Sequence, residues 1–102
     1  MFAVIYRGFV HSGRENEYQK AWRQVADYFV KHCGALGSSL HKSDQGEWIA
    51  YSRWPDQETR DATWITETDL SEEMKSTIKN LKDCIDREKP YEEICMSLIE
   101  SI

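Results

Sequence analysis

The stretch "EWIAYSRWPDQETRDATW", Glu47 to Trp64, decides the fold, because a strand gives way to a helix inside it. "EWIAYSRW" mixes aromatic and β-favouring residues over eight positions and reads as a strand, with Tyr51 and Arg53 on one of its faces. Pro55 cannot continue the ladder and closes it. Asp56 follows as the cap of a short helix that runs through Trp64.

Reading outward toward the start, "SDQG" at 43–46 suits a tight hairpin turn in which Gly46 takes positive φ. It joins the Trp48–Trp54 strand to a second one in "LGSSLHKS", and that strand, which carries Ser39 and His41, lies at a sheet edge. Before it, Ser12 followed by Glu15 forms a capping box, which predicts a helix start at Ser12. Tyr18, Trp22, Val25, Phe29 and His32 then recur at spacings of four and three on one helical face, widened by Ala21 and Tyr28. Gly34 stands where the left-handed residue after a helix belongs. Met1 to Val10 is nearly continuous in apolar residues. Phe2, Val4 and Tyr6 face one side and Ala3, Ile5 and Phe9 the other, the pattern of a central strand covered on both faces.

Reading outward toward the end, Asp69 and Glu72 open a longer helix from Leu70 to Lys89. Its buried stripe is Leu70, Met74, Ile78, Leu81 and Ile85, and Pro90 follows its end. "YEEICMSLIESI" alternates Ile94, Met96 and Leu98 against Glu93, Cys95 and Ser97 and reads as a last strand reaching the end of the chain. The order is β-α-β-β-α-β, with the second helical region broken around "ITETD". This is the split βαβ pattern of α+β, ferredoxin-like folds. One domain spans residues 1–102, with a four-stranded antiparallel sheet and its helices on one face. Nothing in the chain covers the other face, lined by Ala3, Ile5, Phe9 and part of the Trp48–Trp54 strand. An apolar sheet face of that size predicts a second copy of the chain, a homodimer packed sheet to sheet.

Composition narrows the function. The net charge is −5, with no basic stripe to neutralise phosphates, which excludes a nucleic-acid partner. No apolar run approaches the roughly 20 residues of a membrane span. The apolar start lacks a basic region and a cleavage site, so it reads as a strand and not a signal peptide. The three cysteines, Cys33, Cys84 and Cys95, form no CxxC or CxxH pair. They point to reduced packing thiols in a cytoplasmic protein without structural zinc. His11, His32 and His41 are scattered, with no HxH or HExxH spacing, so no metal site is expected.

The element order, the strand ending in "SRWPDQE" and the aromatic Trp64 at the end of the next short helix resemble the antibiotic biosynthesis monooxygenase-like family of dimeric α/β-barrel proteins. The resemblance covers nearly the whole chain. It implies a homodimer and a cavity between sheet and helices in each protomer. It also implies a cofactor-independent monooxygenase acting on a small aromatic or quinone-type compound. A non-catalytic, dimeric ligand-binding or stress-response module of the same fold is the alternative. The haem-degrading branch uses an Asn on the first strand, a Trp on the short helix and a His on the long helix. Trp64 fits the second position and Tyr6 stands at the first. No His lies between Leu70 and Lys89, so iron would lack its imidazole ligand.

Metal-free oxygenation draws its electrons from the substrate. The protein supplies an apolar pocket, stacking surfaces and donors for a developing anion. Aromatics make up 12% of this chain. Tyr6, Arg53 and His41 are the candidate catalytic residues: a phenol on the central strand, a guanidinium that could stabilise an oxyanion, and an imidazole able to act as base. Trp64, Trp22, Tyr51 and Asn80 are the candidate substrate-binding residues. Trp64 is the stacking wall. Trp22 lies on the buried helical stripe, where packing in the core competes with a place at the site. Asn80 offers an amide on the long helix.

Overall fold

The computed structural model describes residues 1–65 and 70–102, the side chains of Trp64 and Ile65 excepted. The chain runs β1 (Phe2–Gly8), α1 (Glu15–His32), β2 (Gly37–Lys42), β3 (Trp48–Trp54), α2 (Gln57–Ile65), α3 (Glu72–Asp83) and β4 (Glu92–Ser97). The four strands form one antiparallel sheet in the order β2-β3-β1-β4. This is the expected ferredoxin-like βαββαβ arrangement with β1 central and β2 at an edge. The break expected around "ITETD" falls mostly on residues outside the described ones.

Parity assigns the two faces. Tyr6 pairs with Ala50, Val4 with Ser52 and Phe2 with Trp54. Phe2, Val4, Ala35 and Trp54 form a buried cluster against which Tyr6, Phe29 and Cys33 pack, so the even positions of β1 face the helices. A second cluster, Tyr18, Cys84 and Ile85, takes in Val10, Leu40, Trp48 and Leu81. The opposite face carries Ala3, Ile5, Ile49, Tyr51, Ile94 and Met96 across three neighbouring strands. Ion pairs of Arg7 with Glu47 and Glu92 stand at its border.

Local signals hold at several joints. Gly46 has φ +85° in the hairpin turn and Gly34 has φ +83° after α1. The Asp56 carboxylate accepts the Thr59 N–H at 2.8 Å, as the cap of α2 requires.

Five sequence readings are corrected. The helix start is not Ser12: residues 11–14 form a turn closed by Arg14 N–H to the His11 carbonyl, with Gly13 at φ +87°. The helix begins at Glu15, and its N-cap Arg14 makes no side-chain cap. The Arg14 guanidinium instead binds Glu17, the Asp83 carbonyl and Asn80, tying α1 to α3. The second long helix is capped by Ser71, whose hydroxyl accepts the Met74 N–H, and it ends at Asp83. Ile85 is therefore not on a helical stripe. It bridges Val10, and His11 and Asp86 donate to the carbonyls of Cys84 and Phe9. Leu98 lies past the end of β4 and is exposed, and Cys95 is exposed rather than packed. Among the described residues, no helix is long and apolar enough to cross a membrane.

Candidate active site

Between the helix-facing side of the sheet and the helices lies a cavity of about 120 Å³. The strands contribute Tyr6, Ala50, Ser52 and Trp54 to its walls, α1 contributes Tyr18, Trp22 and Phe29, α2 contributes Arg60, and the residue before β4 contributes Tyr91. The sequence produces this chamber by alternation. Small residues, Ala50 and Ser52, occupy the β3 positions that face α1, so aromatic rings from α1 and β1 close over a gap instead of meeting side chain on side chain.

Its polar end is built on Tyr6. The Tyr6 hydroxyl accepts a hydrogen bond of 3.1 Å from Arg60 Nη2, and the same guanidinium is paired with the Glu93 carboxylate on β4. Burial pushes the Tyr6 pKa up, and Arg60 only partly opposes this. Tyr6 is thus a neutral phenol at ordinary pH. Its oxygen accepts from Arg60, while its O–H finds no acceptor among the described residues. Donation by a guanidinium polarises a hydroxyl and makes it the stronger donor in turn. Burial works against the Arg60 charge, but the bonds to Tyr6 and Glu93 outweigh it and the pKa rises.

Tyr18 is a second phenol at the chamber wall. It is 7% exposed, it meets Trp48 edge to face at 5.6 Å, and its hydroxyl has no hydrogen-bond partner among the described residues. Burial pushes its pKa from 10.0 up to about 12. Between those values the unfolded chain has lost a proton that the folded chain keeps. Stability is therefore undiminished below pH 10 and falls as pH rises toward 12, by about 2.7 kcal/mol for two pKa units. Urea unfolding at half-unit intervals from pH 9 to 12 should show this loss, and Tyr18→Phe should flatten the curve.

Tyr91 completes the polar end. Its ring lies against Gly8, where a Cβ would stand 2.8 Å from it, and the Arg87 guanidinium sits over the ring at 5.2 Å from its centroid. Burial raises its pKa as well.

The residues expected at the site divide. Tyr6 and Trp22 line the chamber, and Trp22 is half-buried rather than a core plug. The side chain of Trp64 lies outside the described residues. Tyr51, Arg53 and His41 stand on the other face of the sheet, by the register that pairs Ala3 with Arg53, Ile5 with Tyr51 and Ile49 with His41. There His41 Nε2 is 2.9 Å from the Ser39 hydroxyl, and the Arg53 guanidinium lies across Gly37. Asn80 is away from the chamber and accepts from Arg14 at 3.3 Å. Arg60 and Tyr91 are chamber residues that the sequence reading missed. The signal for Arg60 was its place four residues before Trp64, on the same helical face. Among the described residues, no group of three His, Cys, Asp or Glu side chains could hold a metal ion.

Comparisons with known proteins agree with this architecture. The antibiotic biosynthesis monooxygenase family matches residues 1–63. No curated protein matches the chain. Among solved structures, a mutant of SnoaB, a cofactor-independent oxygenase from Streptomyces nogalater, superposes with a TM-score of 0.76 at 13% identity, over 99% of this chain and 95% of that one. Rv0793 from Mycobacterium tuberculosis superposes with a TM-score of 0.73 at 15% identity, over 98% and 96%. A conserved protein from Methanosarcina mazei gives 0.69 at 15% identity, over 91% and 89%. Identities this low carry the fold alone.

Proposed function

The chain belongs to the antibiotic biosynthesis monooxygenase family, and from that premise we propose that it is a cofactor-independent monooxygenase oxidising a small aromatic or quinone-type compound in the chamber. The observation that supports this best is the Tyr6 hydroxyl, backed by Arg60 and without an acceptor among the described residues, at the polar end of an aromatic-walled cavity. Such a donor stabilises an oxyanion as it forms.

A substrate phenol or enol binds with its oxygen at Tyr6 and loses its proton toward Glu93, the carboxylate paired with Arg60. The anion's electron density on carbon passes to dioxygen, a C–O bond forms, and a hydroperoxide results. Loss of water then converts the ring C–H carbon that took up oxygen into C=O, so that a hydroquinone leaves as a hydroxyquinone. One oxygen atom enters the product, the other leaves as water, and the substrate supplies all four electrons. Tyr6 is the catalytic donor, and Arg60 is a positioning residue that acts through it. Trp22 and Phe29 stack on the ring and exclude water.

The open sheet face is assigned to a homodimer in a cytoplasmic protein. Tyr51, Arg53 and His41 then belong to the interface between copies and not to the chamber. A standard interface buries about 1,600 Å² in total. Equilibrium sedimentation at tens of micromolar should give a dimer, and Ile5→Lys, which puts a charge in the middle of the apolar face, should give a folded monomer. A monomeric native protein would remove the barrel assembly.

The function itself is tested with protein freed of metal by chelation, in an oxygen electrode, against a panel of phenols and hydroquinones. One dioxygen consumed per substrate, without hydrogen peroxide release, is expected. Ligand binding with no oxygen uptake would establish the non-catalytic binding module instead.

A further inference from the structure

We propose that the chamber is a site for single-ring compounds with two oxygen substituents, the hydroquinone class, one oxygen held by the Tyr6 hydroxyl and the other by the Tyr18 hydroxyl. This rests on the proposed function and narrows its substrate. Two observations carry it.

The first is size. The cavity holds about 120 Å³. An apolar cavity of ~150 Å³ takes one benzene ring, and sites for larger ligands span about 300–1,000 Å³. A second fused ring would need a wall to move. Trp54, 2% exposed, and Tyr18 and Val25 are core residues as well as walls, so that movement would open the fold's own core.

The second is a pair of unmatched hydroxyls. A buried hydroxyl without a partner is costly, and a ligand atom at that point removes the cost. Among the described residues, two hydroxyls of the chamber lack a partner for their proton away from open solvent: the Tyr6 O–H, whose oxygen is already engaged by Arg60, and the Tyr18 hydroxyl on the α1 wall, in a residue 7% exposed; Tyr91 is 41% exposed and open to water. The rest of the lining is mostly aromatic and aliphatic, apart from Arg60, Lys82 and the Ser38–Ser52 pair bonded at 3.1 Å. A plain phenol satisfies one donor and leaves the other. A ring with a second oxygen satisfies both.

The test measures binding under nitrogen, so that no turnover occurs, by quenching of Trp fluorescence with hydroquinone, phenol, 1,4-dihydroxynaphthalene and 1,8-dihydroxyanthrone. Hydroquinone should bind about three- to tenfold more tightly than phenol, the increment of one net hydrogen bond. The two fused-ring compounds should bind more weakly than either. Tyr18→Phe should bring hydroquinone down to the phenol value. Phe29→Ala should admit dihydroxynaphthalene, which marks the wall that excludes it. Anthrone binding as tightly as hydroquinone, or a hydroquinone preference that survives Tyr18→Phe, would overturn the inference while leaving the monooxygenase reading in place. Failure of every phenol to bind would remove both.

Discussion

Trp54→Ala is expected to destabilise the protein by about 3–5 kcal/mol, the range for truncating a buried large aromatic. Trp54 is 2% exposed. It ends β3, pairs with Phe2 on β1, and its ring centroid lies 5.9 Å from that of Phe29 on α1. Removing the indole leaves a void where strand and helix meet, and the strand backbone cannot collapse into it without breaking register. Trp22→Ala is the matched comparison. Trp22 is half-buried and lines the chamber, so the same truncation should cost less than half as much. Chemical denaturation of the two variants beside the native protein measures both. Equal losses would mean that Trp22 is a core residue after all and that the chamber wall is structural.

Arg60→Met is expected to lower kcat/KM by about 10- to 150-fold, corresponding to the 1.5–3 kcal/mol of a charge-assisted hydrogen bond. The methionine keeps much of the apolar stem and removes the guanidinium that Tyr6 and Glu93 share. A purely structural role is separated by a spectroscopic readout. A chromophoric phenol such as 4-nitrophenol reports its own ionisation when bound. The native protein should lower its pKa through the Arg60–Tyr6 pair, and Arg60→Met should return it toward the solution value. Tyr6→Phe should do the same. An unchanged bound pKa in both variants would mean that the pair shapes the chamber without stabilising charge.

The fold was legible because its signals are periodic and local. Alternation along β1 and β3, four-three spacing on α1, Pro55 and Asp56 at the β3–α2 joint and Gly34 after α1 each act within a few residues. What failed depended on distant partners. Ser12 and Glu15 have the capping-box spacing, but Arg14 has carbonyl and amide partners near α3, and the turn at Gly13 moves the helix start past Ser12. Ile85 fits a helical stripe by spacing, yet Val10 offers it a β-bridge, and the helix ends first.

The candidate site was legible only in part for the same reason. Residue type suggested Tyr51, Arg53 and His41, but a strand alternates, and which parity faces the helices depends on register with β1. Tyr6 pairs with Ala50, so the two small residues Ala50 and Ser52 face the chamber and the functional-looking ones face away. Arg60 was passed over because the polar stretch between Trp54 and Trp64 reads as a solvated helix surface. Its side chain is only 14% exposed, since it reaches across the chamber to β1 and β4.

The central claim is oxygen transfer driven by the substrate's own electrons at Tyr6, and ¹⁸O₂ labelling tests it most directly. Metal-free protein is incubated with hydroquinone-class substrate under ¹⁸O₂, and product and water are analysed by mass spectrometry. One labelled oxygen in the product and one in water, with the rate reduced at least tenfold in Tyr6→Phe, is the predicted result. Product that carries no label, or labelled product formed equally fast by Tyr6→Phe, would contradict it.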